Sequence, residues 1–253
     1  MSLREELTAE IRKILEYNLN VTRCDNRVPT KDDLTLGETA KLLETAVLFT
    51  DVRNSSVFAE SHWQKITAKT YNAFLNCALR IIKSNAGEVR SFNGDSLLAF
   101  FTPGDSACKN AVMAAMQLNW ALRQLLRPEI TRKRYATNFN IGIGVSYGKV
   151  MCTKVGIKRD ENNDLIWPGT PTNLAAKLGG KANKNILCDI LISQEVWDAT
   201  PAHLKLGRPL PPLLLPRLPH TVHPPKLLWS KYCIPFAGSF ITAYGTKSTL
   251  SIN

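Results

Sequence analysis

Hydrophobic positions along this chain recur at two periods, and the alternation between them predicts alternating helices and strands. Leu3, Leu7, Ile11, Ile14 and Leu15 share one face of a helix over residues 1–20. Residues 22–44 are mixed and polar and read as a connecting arm. The run Thr45-Ala-Val-Leu-Phe-Thr-Asp predicts a strand over 45–51, with Arg53-Asn-Ser-Ser following as a small polar loop. Tyr71, Phe74, Ala78 and Ile82 keep spacings of three and four within a helix over about 61–84, which Asn85 and Gly87 end. Asn93-Gly94 then signals a hairpin, because both residues tolerate the positive φ of a type I′ turn. Asp95 therefore belongs at the hairpin tip. A second helix over about 105–126 turns Val112, Ala115, Met116, Asn119, Leu122 and Leu126 inward.

Beyond it, Phe139-Asn-Ile-Gly-Ile-Gly-Val reads as a buried strand, Ser146-Tyr-Gly as a turn, and residues 149–155 as a strand returning antiparallel. A polar loop at 158–163 leads to a short helix from Thr172 that ends at Gly179-Gly180, then to a strand over 186–193. Residues 208–225 hold seven prolines, which fits neither a helix nor a central strand. They read as an extended connection to a last strand over 239–245. The order β-α-β-β-α-β through residue 145 predicts an α+β fold with a ferredoxin-like core and additional strands and helices.

Composition narrows the class. The 253 residues are 44% hydrophobic, enough for one sizeable core. No run approaches the roughly 18 apolar residues of a membrane span, and the charged N-terminus lacks the apolar stretch of a signal peptide. Six dispersed cysteines without a CxxC pair fit reduced thiols and no zinc site, so a cytoplasmic location is expected. His220-x-x-His223 lacks a third ligand. Gly142-x-Gly144 lacks the third glycine of a dinucleotide fingerprint. The net charge of +11 calls for an anionic partner, a nucleotide or a nucleic acid. Arg132-Lys-Arg has few aromatic neighbours, which makes a solvated loop the simpler reading there.

The chemistry lies in two carboxylates. Asp51 at a strand end and Asp95 at a hairpin tip are placed to converge, and such a pair suits Mg²⁺ or Mn²⁺. Asn173 and Lys177, four apart, share a helix face.

Four stretches together resemble the class III nucleotidyl cyclases. They are Val47-Leu-Phe-Thr-Asp-Val-Arg-Asn-Ser-Ser, Gly87 through Phe100, Ile141 through Val150, and Gly169-Thr-Pro-Thr-Asn-Leu-Ala-Ala-Lys-Leu. The resemblance covers about residues 45–200 and implies a catalytic domain there, with an N-terminal helix and arm at 1–44 and a proline-rich connection and strand at 201–253. It implies two Mg²⁺ or Mn²⁺ ions held by Asp51, Asp95 and the carbonyl of Val52. It also implies a triphosphate cradle from Arg53, Asn54, Ser55 and Ser56, a transition-state asparagine at Asn173, and Lys177 in place of the family arginine. Family members share each site between two subunits of a head-to-tail homodimer.

The positions that select a purine in this family hold Ser91 and Ile166, and neither supplies a charge. The pattern from Phe49 to Ser56, with Trp167-Pro-Gly and Asn173-Leu-Ala-Ala-Lys, is similar to the bacterial pyrimidine cyclases of Pycsar antiphage systems. That resemblance implies a UTP substrate, with CTP as the alternative, a pocket that includes Phe49, and a separate effector activated by the cyclic product. A catalytically degenerate nucleotide-binding module and a basic nucleic-acid-binding protein are the competing expectations.

Overall fold

The computed structural model describes residues 2–16, 18–135, 139–157, 162–206 and 227–252. Along the chain run α1 (Leu3–Glu16), β1 (Asn20–Arg23), β2 (Thr39–Val52), α2 (Ser55–Ser61), α3 (Gln64–Ser84), β3 (Gly87–Asn93) and β4 (Ser96–Phe101). Next come α4 (Ala107–Ala121), α5 (Arg127–Arg132), β5 (Ile141–Val155), β6 (Asp164–Ile166), α6 (Thr170–Lys181) and β7 (Ile190–Ser193). The short α7 (Gln194–Ala199) and α8 (Ala202–Lys205) precede the hairpin of β8 (Ser230–Phe236) and β9 (Ser239–Thr246).

The sheet runs β3-β4-β2-β5-β7-β9-β8, with β1 beside β2 and β6 beside β5. Its first four strands reproduce the ferredoxin-like order, and β2 lies antiparallel between β4 and β5. Side chains alternate across β2. Ala46, Leu48 and Val52 join α3 and α4 in the large core, whereas Leu43, Val47 and Phe49 pack on the opposite face with Phe100, Trp167 and Ala175. Asp51 falls in the second set, on the face that carries α6.

The predicted turn at 146–148 does not form. β5 continues through it for 15 residues and pairs with β2 from Val52↔Ile141 to Ala40↔Thr153. Within β5 only Gly148 has a positive φ, 147°. Ser-Tyr-Gly is a weak local signal, and the ladder to a β2 that starts at Thr39 rather than 45 outweighs it. The strand predicted over 186–193 is confined to its last four residues. The helix predicted over 61–84 forms unbroken as α3 from Gln64 to Ser84, whereas the loop predicted at 53–56 gives way at Ser55 to a short helix of its own, α2. The helix predicted over 105–126 forms from Ala107 and runs past its expected end: it passes into a π-turn at Leu122–Leu126 and on into α5, whose Pro128 cannot donate a helical hydrogen bond. The hairpin shifts by one residue. Asn93 pairs with Ser96, so the turn is Gly94-Asp95, and of its two central residues only Gly94 has a positive φ, 60°. Asp95 thus sits inside the turn. β8 carried no sequence expectation, and the proline-rich segment with its two histidines lies outside the described residues.

Glycine decides how α6 seats. A Cβ on Gly142 would stand 2.5 Å from the carbonyl oxygens of Gly179 and Ala182, and one on Gly144 would press into the Ala175 carbonyl. The Gly-x-Gly of β5 therefore serves close helix-to-sheet approach. It brings the C-terminal turn of α6 down onto β2 and β5 beside Asp51.

Candidate active site

Strand register brings the two acidic residues together. Thr50 pairs with Leu97, so Asp51 lies level with Ser96 and Asp95 level with Val52, at one end of the β2–β4 ladder. Burial is the main influence on Asp51 and raises its pKa above the ordinary aspartate value of 3.8; the charge of Asp95 pushes the same way, while Arg53 and Lys184 oppose. Tyr71 is raised by burial first and then by the charges of both aspartates, which places its hydroxyl near the pair. That hydroxyl also donates to the Ser55 carbonyl at 3.4 Å, linking α3 to the loop after Asp51.

The loop after Asp51 is tightly held. Arg53 is only 8% exposed; its amide donates to the Asn140 carbonyl at 2.8 Å. Its guanidinium stands 3.5 Å from the Asp51 carboxylate and donates to the carbonyls of Gly179 and, at 3.3 Å, Gly180. Asn54 is left-handed at φ 55°, a conformation asparagine tolerates, and it turns the chain into α2. Ser55 and Ser56 then occupy the first turn, where backbone N–H groups lack intrahelical acceptors.

Asn173 and Lys177 project from the solvent face of α6, while Leu174, Ala175 and Leu178 pack inward. Pro171 near the helix start fits the missing N–H there, and the Asn173 amide bonds back to the Gly169 carbonyl at 3.3 Å. Trp167 fixes the approach by stacking on Phe100 with ring centroids 4.0 Å apart. Asn173 and Lys177 line an open cleft of about 550 Å³ whose far wall is the β8–β9 tip, Pro235 through Gly238. Neither aspartate lines this cleft. Within one chain the structure pairs Asp51 with Asp95 and Asn173 with Lys177, in two separate places.

Ser91 and Ile166 lie on β3 and β6, strands that do not pair with each other. Ser91 is half-buried and follows a register shift after Val89; Ile166 is 44% exposed. Phe49 packs with the second-face cluster and lies against Gly179.

The acidic end suits a divalent cation. One carboxylate oxygen of Asp95 is buried with no hydrogen-bond partner among the described residues. The half-exposed Asp51 is beside it. No cluster of three or more His, Cys, Asp or Glu exists among the described residues, so the acidic groups that a cation would meet at this end are these two carboxylates. Such a set leaves coordination positions for phosphate oxygens, as magnesium sites commonly do. Two features escaped sequence reasoning. Lys184, four residues past the Gly-Gly pair, is close enough to act on Asp51. The β8–β9 tip had no local motif to announce it. Elsewhere, all six cysteines are free, and burial pushes the Cys108 and Cys152 thiols up to about 12, which makes them poor nucleophiles. Arg132 of the basic run is paired to Glu129 at 3.0 Å.

Comparison with known proteins gives a consistent picture. Residues 39–201 match the family described as the adenylate and guanylate cyclase catalytic domain. A uridylate cyclase of Rhodovulum sp. (strain MB263) is 32% identical over 184 residues, covering 70% of this chain and 75% of that protein. Uridylate cyclases of Xanthomonas perforans (30% identity; 70% and 77% covered) and Burkholderia cepacia (34%; 62% and 69%) are similarly related. Among solved structures, the adenylyl cyclase CyaB from P. aeruginosa superposes with a TM-score of 0.63 at 18% identity, over 82% of this chain and 95% of that one. The guanylate cyclase domain of RhGC from Catenaria anguillulae, solved in complex with GTP, gives 0.60 at 16%, over 83% and 100%. At these identities the structural likeness speaks for the fold.

Proposed function

The chain belongs to the adenylate and guanylate cyclase catalytic domain family, and on that footing we propose that it converts UTP to 3′,5′-cyclic UMP and pyrophosphate at sites shared between two copies. The observation that carries this reading is the division of polar groups just described. A half-buried carboxylate pair with an unpartnered oxygen sits at one place, and an asparagine–lysine pair faces an open cleft at another.

In the reaction the ribose 3′-oxygen bonds to the α-phosphorus, the bond to the pyrophosphate oxygen breaks, and the 3′-hydroxyl proton leaves to solvent. Asp51, Asp95 and the Val52 carbonyl would hold two divalent ions, Mn²⁺ or Mg²⁺. Such ions lower the pKa of a bound hydroxyl and neutralise phosphate charge. The N–H groups of Asn54, Ser55 and Ser56 face the triphosphate, with Lys184 adding positive charge near Asp51. From the second copy, Asn173 orients the ribose by hydrogen bonding, and Lys177 stabilises negative charge growing on the α-phosphate. Lysine is a point charge on a flexible stem, so it does this without the bidentate fork of arginine.

Base choice rests on what is absent from the selecting positions. A purine edge facing Ser91 and Ile166 would leave polar atoms unpaired, and that is costly in a pocket. The Ser91 hydroxyl can donate or accept, which suits a pyrimidine edge. The relatives named uridylate cyclase favour uracil. We place the product as a second messenger that activates a separate effector in bacterial antiphage defence. Mass spectrometry of products from ATP, GTP, CTP and UTP with Mn²⁺ tests the reading. Cyclic UMP as the main product supports it; cyclic AMP as the main product, or no turnover of any nucleotide, overturns it.

A further inference from the structure

The Arg53 guanidinium touches two things that the proposed reaction assigns to different sites. On one side it is 3.5 Å from the Asp51 carboxylate. On the other it donates to the carbonyls of Gly179 and Gly180, in the last turn of α6. Those carbonyls lack intrahelical partners, and a cation at a helix C-terminus is favoured by the helix dipole. Room for the guanidinium depends on Gly142, since a Cβ there would collide with it. Its Nε is buried without a partner among the described residues, so the group is held by these contacts alone.

We propose that Arg53 is a positioning residue that couples the two active sites of a dimer, by tying the metal-binding carboxylate of one site to the helix that serves the other. The inference rests on the shared-site reading above. In that arrangement each copy gives Asp51 and Asp95 to one site and Asn173 and Lys177 to the second. Lys177 precedes Gly179 by less than one helical turn, so a displacement at the Gly179 carbonyl is carried directly to the lysine. A divalent cation on Asp51 competes with the Arg53 ion pair and repels the guanidinium, which then leans more fully on the α6 carbonyls. Loading one site thereby firms the C-terminal turn of α6 at the other.

Amide hydrogen exchange of the full chain, with and without Mn²⁺, tests this without any turnover. In the unmodified protein Mn²⁺ should slow exchange at residues 50–56 and 93–97, and also slow residues 178–183 by about threefold or more. In Arg53→Met, and in Arg53→Lys, which keeps the charge but loses the fork, the slowing at 50–56 and 93–97 should persist while that at 178–183 disappears. The lysine variant keeps the test valid if the methionine variant fails to fold. Slowing at 178–183 that survives in a folded variant, or is missing from the unmodified protein despite slowing at Asp51 and Asp95, overturns the coupling alone. No Mn²⁺ response at either aspartate overturns the metal reading and the coupling with it.

Discussion

The two halves of the proposed site are built in opposite ways. The carboxylate half lies at a ladder end, partly buried, with Arg53, Tyr71 and Lys184 acting on it. The asparagine–lysine half stands on the exposed face of α6, and neither side chain has a hydrogen-bond or ion-pair partner among the described residues. The first half is preorganised at a cost in stability, because burial disfavours the charged form of Asp51. The second costs the fold nearly nothing. A single chain therefore carries one half that strains against its own folding and one that stands open to solvent at a cleft.

Substitution at Asp51 should break the comparison most sharply. Asp51→Asn should lower kcat by about 10³-fold or more, since loss of a metal ligand removes several kcal/mol of transition-state stabilisation. Thermal unfolding of the metal-free variant at neutral pH should nonetheless occur at or above the temperature of the unmodified protein. Unfolding well below it would show that Asp51 stabilises the fold through Arg53 instead.

Lys177→Ala comes next. It should lower kcat by about 10²-fold while stability moves by less than about 0.5 kcal/mol, as expected for an exposed side chain. A large fall in melting temperature would contradict the free state assigned to that half. Gly144→Ala probes the seat that joins the halves. Overpacking against α6 should cost about 1–3 kcal/mol, read by denaturant unfolding, and wild-type stability would remove the close-approach argument.

The smallest effect is a pH dependence. The folded pKa of Asp51 is raised, so between the ordinary value of 3.8 and that raised value the folded state binds more protons than the unfolded one. Stability from this group is therefore lost as pH climbs through that window. The difference in stability between Asp51→Asn and the unmodified metal-free protein should grow in favour of the variant as pH rises there. A difference that stays flat would mean the pair is better solvated than its burial implies. Metal affinity should show the opposite trend, rising with pH as Asp51 ionises.

How much of this could be read beforehand follows the same division. Asp51 and Asp95 were legible because a strand run and a Gly-containing turn are local patterns, and the helix bearing Asn173 and Lys177 has its own start and stop signals. What escaped was set at long range. Nothing within Ile141–Val155 says that β5 continues past Ser146; that depends on β2 beginning at Thr39. The inward turn of Arg53 needs Gly142, Gly179 and Gly180, residues about 90 to 130 positions away in sequence, to be assembled first. The β8–β9 tip reaches the cleft only because β9 pairs with β7.

The division of the site is tested most directly by complementation. Asp51→Ala and Lys177→Ala chains, each strongly impaired alone, are mixed in equal amounts with subunit exchange verified, and cyclase activity is measured. Half of the dimers should then pair unlike chains and hold one intact site of two, giving about a quarter of wild-type activity per chain. Activity that stays at the level of the separate variants would contradict the account.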